Sequence, residues 1–237
     1  MNFKGATALV TGAGRGIGKS IALMLAREGM EVVLTARTLS ELNALKSQIE
    51  SEGGRAIAIA ADLTEEAQID RLFSEMGTRS ARLDVLVNNA GIGIFAPVRD
   101  LSLADFDRMW NINMRAVMLV TQHGLKLMEQ QRSGAIVNVA SLAGRNAFIG
   151  GAGYAATKWA LIGFARSLML EVRDRNIRVI TICPGSVDTS FSPSPKEPSR
   201  SEKILDPQDV AETVLAALRL PERAMVSEID IRPTNPK

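Results

Sequence analysis

Residues 6–36 read ATALVTGAGRGIGKSIALMLAREGMEVVLTA. A short apolar run, ATALVT, gives way to a glycine turn, then to an amphipathic stretch, GIGKSIALMLAREG, then to a second β-branched run, EVVLTA. The hydrophobic period passes from that of a strand to that of a helix and back, as in a βαβ unit. The alternation continues outward through LSELNALKSQIESEG, RAIAIAAD, EEAQIDRLFSEM, LDVLVNNA, a helical region from about Leu103 to Gln131, AIVNVAS, a helix around Tyr154, IRVITICPG, DPQDVAETVLAAL and SEIDIRP. LDVLVN and RVITIC are apolar on both faces, as strands are when helices cover both sides of a parallel sheet. The expected fold class is α/β: a Rossmann-like doubly wound parallel sheet of about seven strands in a three-layer α/β/α sandwich, with right-handed crossovers.

At 237 residues the chain is long enough for a large core, and no proline-rich linker interrupts its first ~180 residues, so a single domain spanning 1–237 is expected. The exception is SFSPSPKEPSRSEK, residues 190–203, where proline and serine replace the periodic pattern. It reads as a flexible loop, either a surface insertion or a substrate lid, since it follows a strand on the ligand side of the sheet. The content of 46% hydrophobic and 23% charged residues describes a soluble globular protein, and no apolar run approaches membrane-spanning length. The opening MNFKGATALVTGAG runs straight into a strand-like segment, so no signal peptide is expected.

One cysteine, Cys183, excludes an internal disulfide and a cysteine-based zinc cluster, which fits a reducing cytoplasmic compartment. It lies in an apolar run and reads as core. One histidine, His123, excludes multi-histidine metal sites and has no obvious carboxylate partner in sequence. Any proton chemistry must therefore proceed without imidazole, and no metal site is expected. A formal net charge of +2 without a lysine- or arginine-rich run gives no indication of nucleic-acid binding.

The first strand ends in Thr11-Gly12-Ala13-Gly14-Arg15-Gly16-Ile17-Gly18. Glycines at a strand-to-helix turn let backbone amides approach a pyrophosphate at the positive end of the helix. The spacing is GxxxGxG rather than GxGxxG, and its place directly after the first strand of a βα repeat favours a phosphate cradle over a purely structural turn. At the end of the second strand, sites that prefer NAD place a carboxylate for the ribose 2′-hydroxyl. Here Ala36 and Arg37 follow instead. With Arg37 and Arg15 near that pocket and no carboxylate to repel a 2′-phosphate, NADP(H) is expected in preference to NAD(H).

The only tyrosine, Tyr154, precedes Lys158 by four residues in GYAATKWALIGF. Positions i and i+4 share a helix face, so the phenol and the ammonium can converge. A neighbouring cation favours the phenolate and would bring the tyrosine down from its ordinary pKa of ~10 toward neutrality. An ordinary packed tyrosine beside an exposed lysine is the plainer alternative for that pair alone.

Together these residues resemble the short-chain dehydrogenase/reductase family over nearly the whole chain. The TGxxxGxG turn, Asn88-Asn89-Ala90-Gly91 after the fourth strand, Ser141, the YxxxK pair and Pro184-Gly185 occur in that family's order and spacing. The resemblance implies a catalytic set of Asn113, Ser141, Tyr154 and Lys158. Hydride would pass from the nicotinamide to a carbonyl carbon while Tyr154 donates a proton to the developing alkoxide and Ser141 hydrogen-bonds its oxygen. Lys158 would hold the nicotinamide ribose and lower the tyrosine pKa, and Asn113 would support a water-mediated relay. The resemblance also implies cofactor contacts at Gly12, Gly14, Arg15, Gly16, Ile17, Gly18, Arg37, Asp62 with the adjacent Leu63, Asn89, Ala90, Gly91, Tyr154, Lys158, Pro184, Gly185, Val187 and Thr189.

The front half looks most like 3-oxoacyl-acyl-carrier-protein reductases, in which residues placed like Arg132 and Arg175 dock the acidic carrier protein. The ending MVSEIDIRPTNPK departs from that subfamily and is more like members acting on small hydroxy acids, amino alcohols or other carbonyl compounds. A redox-sensing NADP(H)-binding protein without turnover is the reading from another class, and the intact Ser141, Tyr154 and Lys158 weigh against it. AVMLVTQ and LMLEV carry more apolar positions than one sheet face easily covers, so a helix-to-helix homodimer or homotetramer is expected.

Overall fold

The computed structural model describes residues 1–78, 80, 82–191 and 204–234. Seven parallel strands form one sheet: β1 (Thr7–Thr11), β2 (Glu31–Ala36), β3 (Arg55–Ala60), β4 (Val85–Asn88), β5 (Gly134–Val139), β6 (Ile177–Pro184) and β7 (Glu228–Ile231). Their order is β3-β2-β1-β4-β5-β6-β7. The order reverses between β1 and β4, where two halves wind in opposite directions and the loops leaving the strands diverge.

Alternation along each strand sends side chains into two separate cores. On one face Ala8, Val10, Val32, Leu34, Val85 and Val87 pack against α1 (Gly16–Arg27), α2 (Leu39–Ser51) and α7 (Pro207–Arg219) through residues such as Ile21, Leu25, Leu45 and Val214. On the other, Leu9, Val33, Leu86 and Ile136 meet Ile69 and Leu72 of α3 (Glu66–Gly77), Val120 of α5 (Ala116–Gln131) and Leu168 of α6 (Ala152–Val172). Strands buried on both faces cannot tolerate the polar alternation of a half-exposed sheet, which is why their sequences are continuously apolar.

The helical region expected over Leu103–Gln131 is α4 (Leu103–Trp110), a π-helical turn at Asn111–Arg115, and α5. The turn admits one extra residue without breaking the helix, and it does so at Asn113; such turns are frequent at functional sites. α7 starts on a capping box of Asp206 and Asp209 with Pro207 in its first turn. Its other end is closed by buried Arg178 of β6, which donates to the carbonyls of Leu218 (3.1 Å) and Leu220 (3.3 Å).

Two sequence readings need correction. His123 does have a carboxylate: Asp70 of α3 lies 3.2 Å from its Nε2, and its ring stacks on Phe73. The partner comes from a different helix and so leaves no local signal. The apolar excess on α5 and α6 is also narrower than expected, because Val117, Val120 and Leu168 are buried, leaving Met118, Trp159 and Leu170 exposed. Cys183 is fully buried, as its context implied. Most of the 190–203 segment, residues 192–203, lies outside the described residues.

Candidate active site

All the strands are parallel, so the loops leaving their C-terminal ends gather on one edge of the sheet. They enclose a cleft of about 1180 Å³. Of the catalytic and cofactor-contact residues expected from the sequence, all but Gly18 and Asn113 line it. Those two lie behind its wall.

At the nucleotide end the wall is backbone. Gly12 and Gly16 hold positive φ values of 64° and 54°, which a side chain would strain. A Cβ on Gly18 would lie 2.3 Å from the carbonyl oxygen of Gly12, so this glycine serves the winding of the turn rather than the cleft. A Cβ on Gly16 would come within 3.1 Å of Thr189, narrowing the gap between the turn and the segment after β6. The turn is held by Thr11, whose hydroxyl donates to Val87 O and accepts from the amides of Asn89 (2.9 Å) and Ala90 (3.0 Å). Asn89 returns its amide to Thr11 O and Gly12 O. Beneath, Asn88 donates to Thr121 and to Asn138.

α1 opens directly onto this turn with no side-chain cap at Arg15 and no acidic residue in its first turn. Its leading N–H groups and positive dipole end are thus left for an anion, and Arg15 adds a full charge. Arg37 and Thr38, at the end of β2, line the same wall, with no carboxylate at the Ala36 position. Glu41 in the first turn of α2 also lines the cleft, and a Cβ on Gly14 would lie 2.5 Å from its Oε2. Sequence reasoning missed it because it falls within a helix, four residues past Arg37. Asp62 carries an Asx-type turn, accepting from the amide (2.9 Å) and hydroxyl (2.7 Å) of Thr64. A dinucleotide fits such a wall: uncapped amides, two arginines, and glycines where side chains would intrude.

At the other end side chains dominate. Tyr154 and Lys158 share a face of α6 and are both buried. The Lys158 ammonium donates to Val139 O at 3.0 Å and stands 5.8 Å from the centre of the Tyr154 ring. Ser141 caps the short helical turn Leu142–Gly144, its hydroxyl oxygen accepting from the amide of Ala143 at 3.0 Å. Asn113 donates to Ile92 O (2.9 Å) and Thr157 Oγ1 (3.0 Å), and accepts from the amide of Ile92 (2.9 Å). Thr157 in turn donates to Tyr154 O. The Asn113 side chain therefore ties the loop after β4 to the Tyr154 helix, with both of its N–H donors in use.

The expected lowering of the Tyr154 pKa is not what these residues produce. Burial pushes the phenol up to about 12, with the Ser141 hydroxyl pulling the other way. The same burial pulls the Lys158 ammonium down to about 8. In so dry a site the desolvation of a phenolate outweighs an ammonium turned toward Val139 O rather than toward the phenol oxygen.

The segment carrying Ser141 is anchored from outside. Arg145 donates to Asp230 (2.6 Å) and to Glu228 of β7, and Arg166 of α6 also grips Glu228. Between these guanidiniums the Glu228 carboxyl drops to about 2, chiefly through Arg166. Ser141, the Tyr154 helix and the sheet edge are thereby stitched together.

Three phenylalanines that sequence reasoning passed over, Phe95, Phe148 and Phe191, also line the cleft. The Phe95 ring stands edge-on to Tyr154 at 5.4 Å between centroids, and Phe191 lies 5.8 Å from Tyr154. They come from three separate loops. Arg132 and Arg175, by contrast, sit at the start of β5 and β6, the sheet edge away from the cleft. Arg132 ends α5 in a left-handed conformation, and Arg175 donates to Glu129 at 2.7 Å.

A switch-point cleft with an anion-binding helix start beside a half-buried serine and a buried tyrosine and lysine defines the class of nucleotide-dependent α/β oxidoreductases. Within that class the chain belongs to the short-chain dehydrogenase family, whose pattern it matches over residues 6–199. It is 34% identical over 234 residues to a sepiapterin reductase of Chlorobaculum tepidum, covering 96% of each chain. It is likewise 34% identical over 226 residues to an uncharacterized oxidoreductase of Staphylococcus aureus, covering 95% of this chain and 96% of the other. Among solved structures, a metagenomic short-chain oxidoreductase in complex with NADP superposes with a TM-score of 0.87 at 34% identity, covering 99% of both chains. An alcohol dehydrogenase of the archaeon Thermococcus sibiricus, complexed with 5-hydroxy-NADP, gives 0.91 at 31% identity, with 98% and 97% covered. Among the described residues, no helix is long and apolar enough to cross a membrane.

Proposed function

We propose that this protein is an NADP(H)-dependent carbonyl reductase, running in reverse as a dehydrogenase of secondary alcohols. The observation that carries the reading is the burial of Tyr154 and Lys158 on one face of α6, beside Ser141 at the wall of a cleft whose far end is a glycine cradle. Arg15 and Arg37 support the phosphorylated cofactor over NAD(H), as do the two solved relatives whose descriptions name NADP or its 5-hydroxy derivative. Gly12, Gly14, Gly16, Ile17, Asp62, Leu63, Asn89, Ala90, Gly91, Pro184, Gly185, Val187 and Thr189 would form the rest of its bed. Bound there, the cofactor supplies the hydride.

The chain's own groups handle the proton and the charge. A phenol pushed up to about 12 is fully protonated at neutral pH and serves as the acid for a substrate oxygen. The Ser141 hydroxyl, whose oxygen accepts from the Ala143 amide and which also bonds the Tyr154 phenol, can turn its proton to the same substrate oxygen, where negative charge develops. Once Tyr154 has donated, the phenolate is offset by the Lys158 ammonium, two of whose three N–H donors are not used by Val139. The tyrosine–lysine coupling thus acts during proton transfer rather than in the resting protein. Asn113, with its side chain committed to Ile92 and Thr157, is a positioning residue.

The finer assignment to 3-oxoacyl-thioesters requires a carrier-protein surface that includes Arg132 and Arg175. Hydroxy acids, amino alcohols and other small carbonyl compounds need no such surface. A panel of both substrate types with NADPH and NADH, including sepiapterin, the substrate in the name of the Chlorobaculum relative, tests the reading. NADPH oxidation with at least one carbonyl, absent in Tyr154→Phe, is the expected result. Tight NADPH binding with no turnover across the panel would instead establish a non-catalytic sensor. The exposed Met118, Trp159 and Leu170 further support a homo-oligomer through α5 and α6. Light scattering should give more than one chain mass for the native protein and a shift to monomer for Trp159→Glu/Leu170→Glu.

A further inference from the structure

We infer that the carbonyl end of the cleft is built for a neutral carbonyl compound bearing an aromatic ring next to the reacting carbon; this rests on the carbonyl-reductase reading above. The chain is poor in aromatics, with seven phenylalanines, two tryptophans and one tyrosine. Four of these ten meet here. Phe95 stands edge-on to Tyr154 (5.4 Å, 82°), Phe191 tilts against it (5.8 Å, 57°), and Phe148 stands edge-on to Phe95 (5.8 Å, 63°). These are aromatic-pair separations, and each phenylalanine leaves 40–46% of its surface uncovered toward the cleft they all line. Uncovered apolar area concentrated around one acid group marks a binding surface for apolar matter.

The convergence is made room for. A Cβ on Gly93 would lie 2.8 Å from both the Phe191 and Phe95 rings, and one on Gly151 would lie 2.2 Å from Phe148. Gly151 has an ordinary φ of −99° and Gly93 has no positive φ, so what these glycines supply is space for rings rather than an unusual turn. The floor is apolar as well, with Met109, Ala143, Ile92, Ile94 and Leu101 packed about Tyr154.

Charge argues the same way. Among the described residues, the arginines lining the cleft away from its nucleotide end are Arg108 and Arg232, held by Asp105 (3.1 Å) and Asp230 (3.2 Å). A carboxylate substrate would have to compete with those acids. A neutral ring loses nothing by entering, and its π faces and edges find three matching partners around the oxygen-binding pair Ser141 and Tyr154.

The test is a pair of ketones with the same carbon skeleton, phenyl methyl ketone and cyclohexyl methyl ketone; the intrinsic effect of conjugation on the phenyl ketone's carbonyl is common to all protein forms and cancels when their ratios are compared. Their kcat/KM values with saturating NADPH are compared in the native protein and in Phe95→Leu, Phe148→Leu, Phe191→Leu and Gly93→Ala. The native protein should prefer the phenyl ketone by about 10-fold, the worth of one or two aromatic contacts. Each leucine variant should bring the ratio toward unity, and Gly93→Ala should do so with all three rings kept, while NADPH binding stays as in the native protein. Because Gly93→Ala removes no side chain, it guards against a leucine variant that fails to fold. Equal rates for the two ketones, or a preference untouched by all four variants, would overturn the inference and leave the carbonyl-reductase reading standing. No turnover of either ketone or of any other carbonyl would bring down that reading and this one with it.

Discussion

The two ends of the cleft are made of different material. The nucleotide end is a backbone object: the Gly12–Gly18 turn, the uncapped start of α1, and Thr11 and Asn89 clamping β1 to β4. The carbonyl end is a side-chain object, in which Ser141, Tyr154, Lys158 and three phenylalanine rings converge from α6 and the loops after β4, β5 and β6. A backbone surface offers amides and shape, and suits a ligand recognised by phosphates. A side-chain surface can change one residue at a time, so the fold can keep its cofactor while its substrate varies.

The sharpest way to break this division is at Tyr154. Tyr154→Phe should lower kcat on the order of 10³-fold, within the range of a lost general acid, while fluorescence titration finds NADPH binding unchanged. Weakened nucleotide binding of similar size would mean that the two ends are not separable. The converse change is Gly16→Val, where a branched side chain meets both a φ of 54° and Thr189. It should weaken NADPH binding by roughly 10²-fold, given ~1–3 kcal/mol for local backbone strain plus the obstruction. The kcat at saturating NADPH should fall much less.

This division also decides what the sequence could disclose. The strand–helix alternation, the glycine cradle and the Tyr154–Lys158 pair were legible because each is a local pattern with fixed spacing, while Asp62 was placed by the family resemblance. The aromatic cluster was not: successive members Phe95, Phe148 and Phe191 are separated by 53 and 43 residues, and only tertiary folding unites them. The Asp70–His123 pair escaped for the same reason, whereas Glu41 escaped because nothing in a helical run marks the residue that faces a cleft. The Tyr154 pKa was misjudged because spacing reports proximity but not burial, and burial set the direction. For Asn113 the family resemblance gave the position, whereas only the structure revealed the π turn and the bonds to Ile92 and Thr157.

Burial at the carbonyl end has a thermodynamic signature that the nucleotide end lacks. Lys158 falls from an ordinary 10.5 to about 8 on folding, so between those values the unfolded chain binds more protons than the folded one. Stability should therefore rise with pH across this window, by on the order of 3 kcal/mol if the full shift is realised. Tyr154, raised from 10.0 to about 12, acts oppositely above pH 10. Urea unfolding at pH 8 and 10 should show the rise in the native protein, and Lys158→Met should flatten it. The buried Cys183 thiol, pushed up from 9.0, contributes a slope of the opposite sign to both proteins, so equal slopes in the native protein and Lys158→Met would mean that water reaches the ammonium.

The smallest effect concerns cofactor choice, where the backbone cradle meets its few variable side chains. On the proposed NADP(H) reading Arg15 and Arg37 would offer charge to a 2′-phosphate, but Glu41 lines the same wall, and all three are solvent-accessible enough for salt to screen them. Arg37→Asp places a carboxylate beside the position that serves the ribose hydroxyl in NAD-preferring sites. It should reduce the NADPH-over-NADH preference in Kd by about 10-fold, as expected for reversing one partly exposed charge pair. Glu41→Gln should move the preference the other way by a smaller factor, and both shifts should shrink at high salt. If Arg37→Asp left the ratio untouched, cofactor choice would belong to the backbone cradle itself, and the boundary between the constant and the variable parts of the cleft would move to exclude the end of β2.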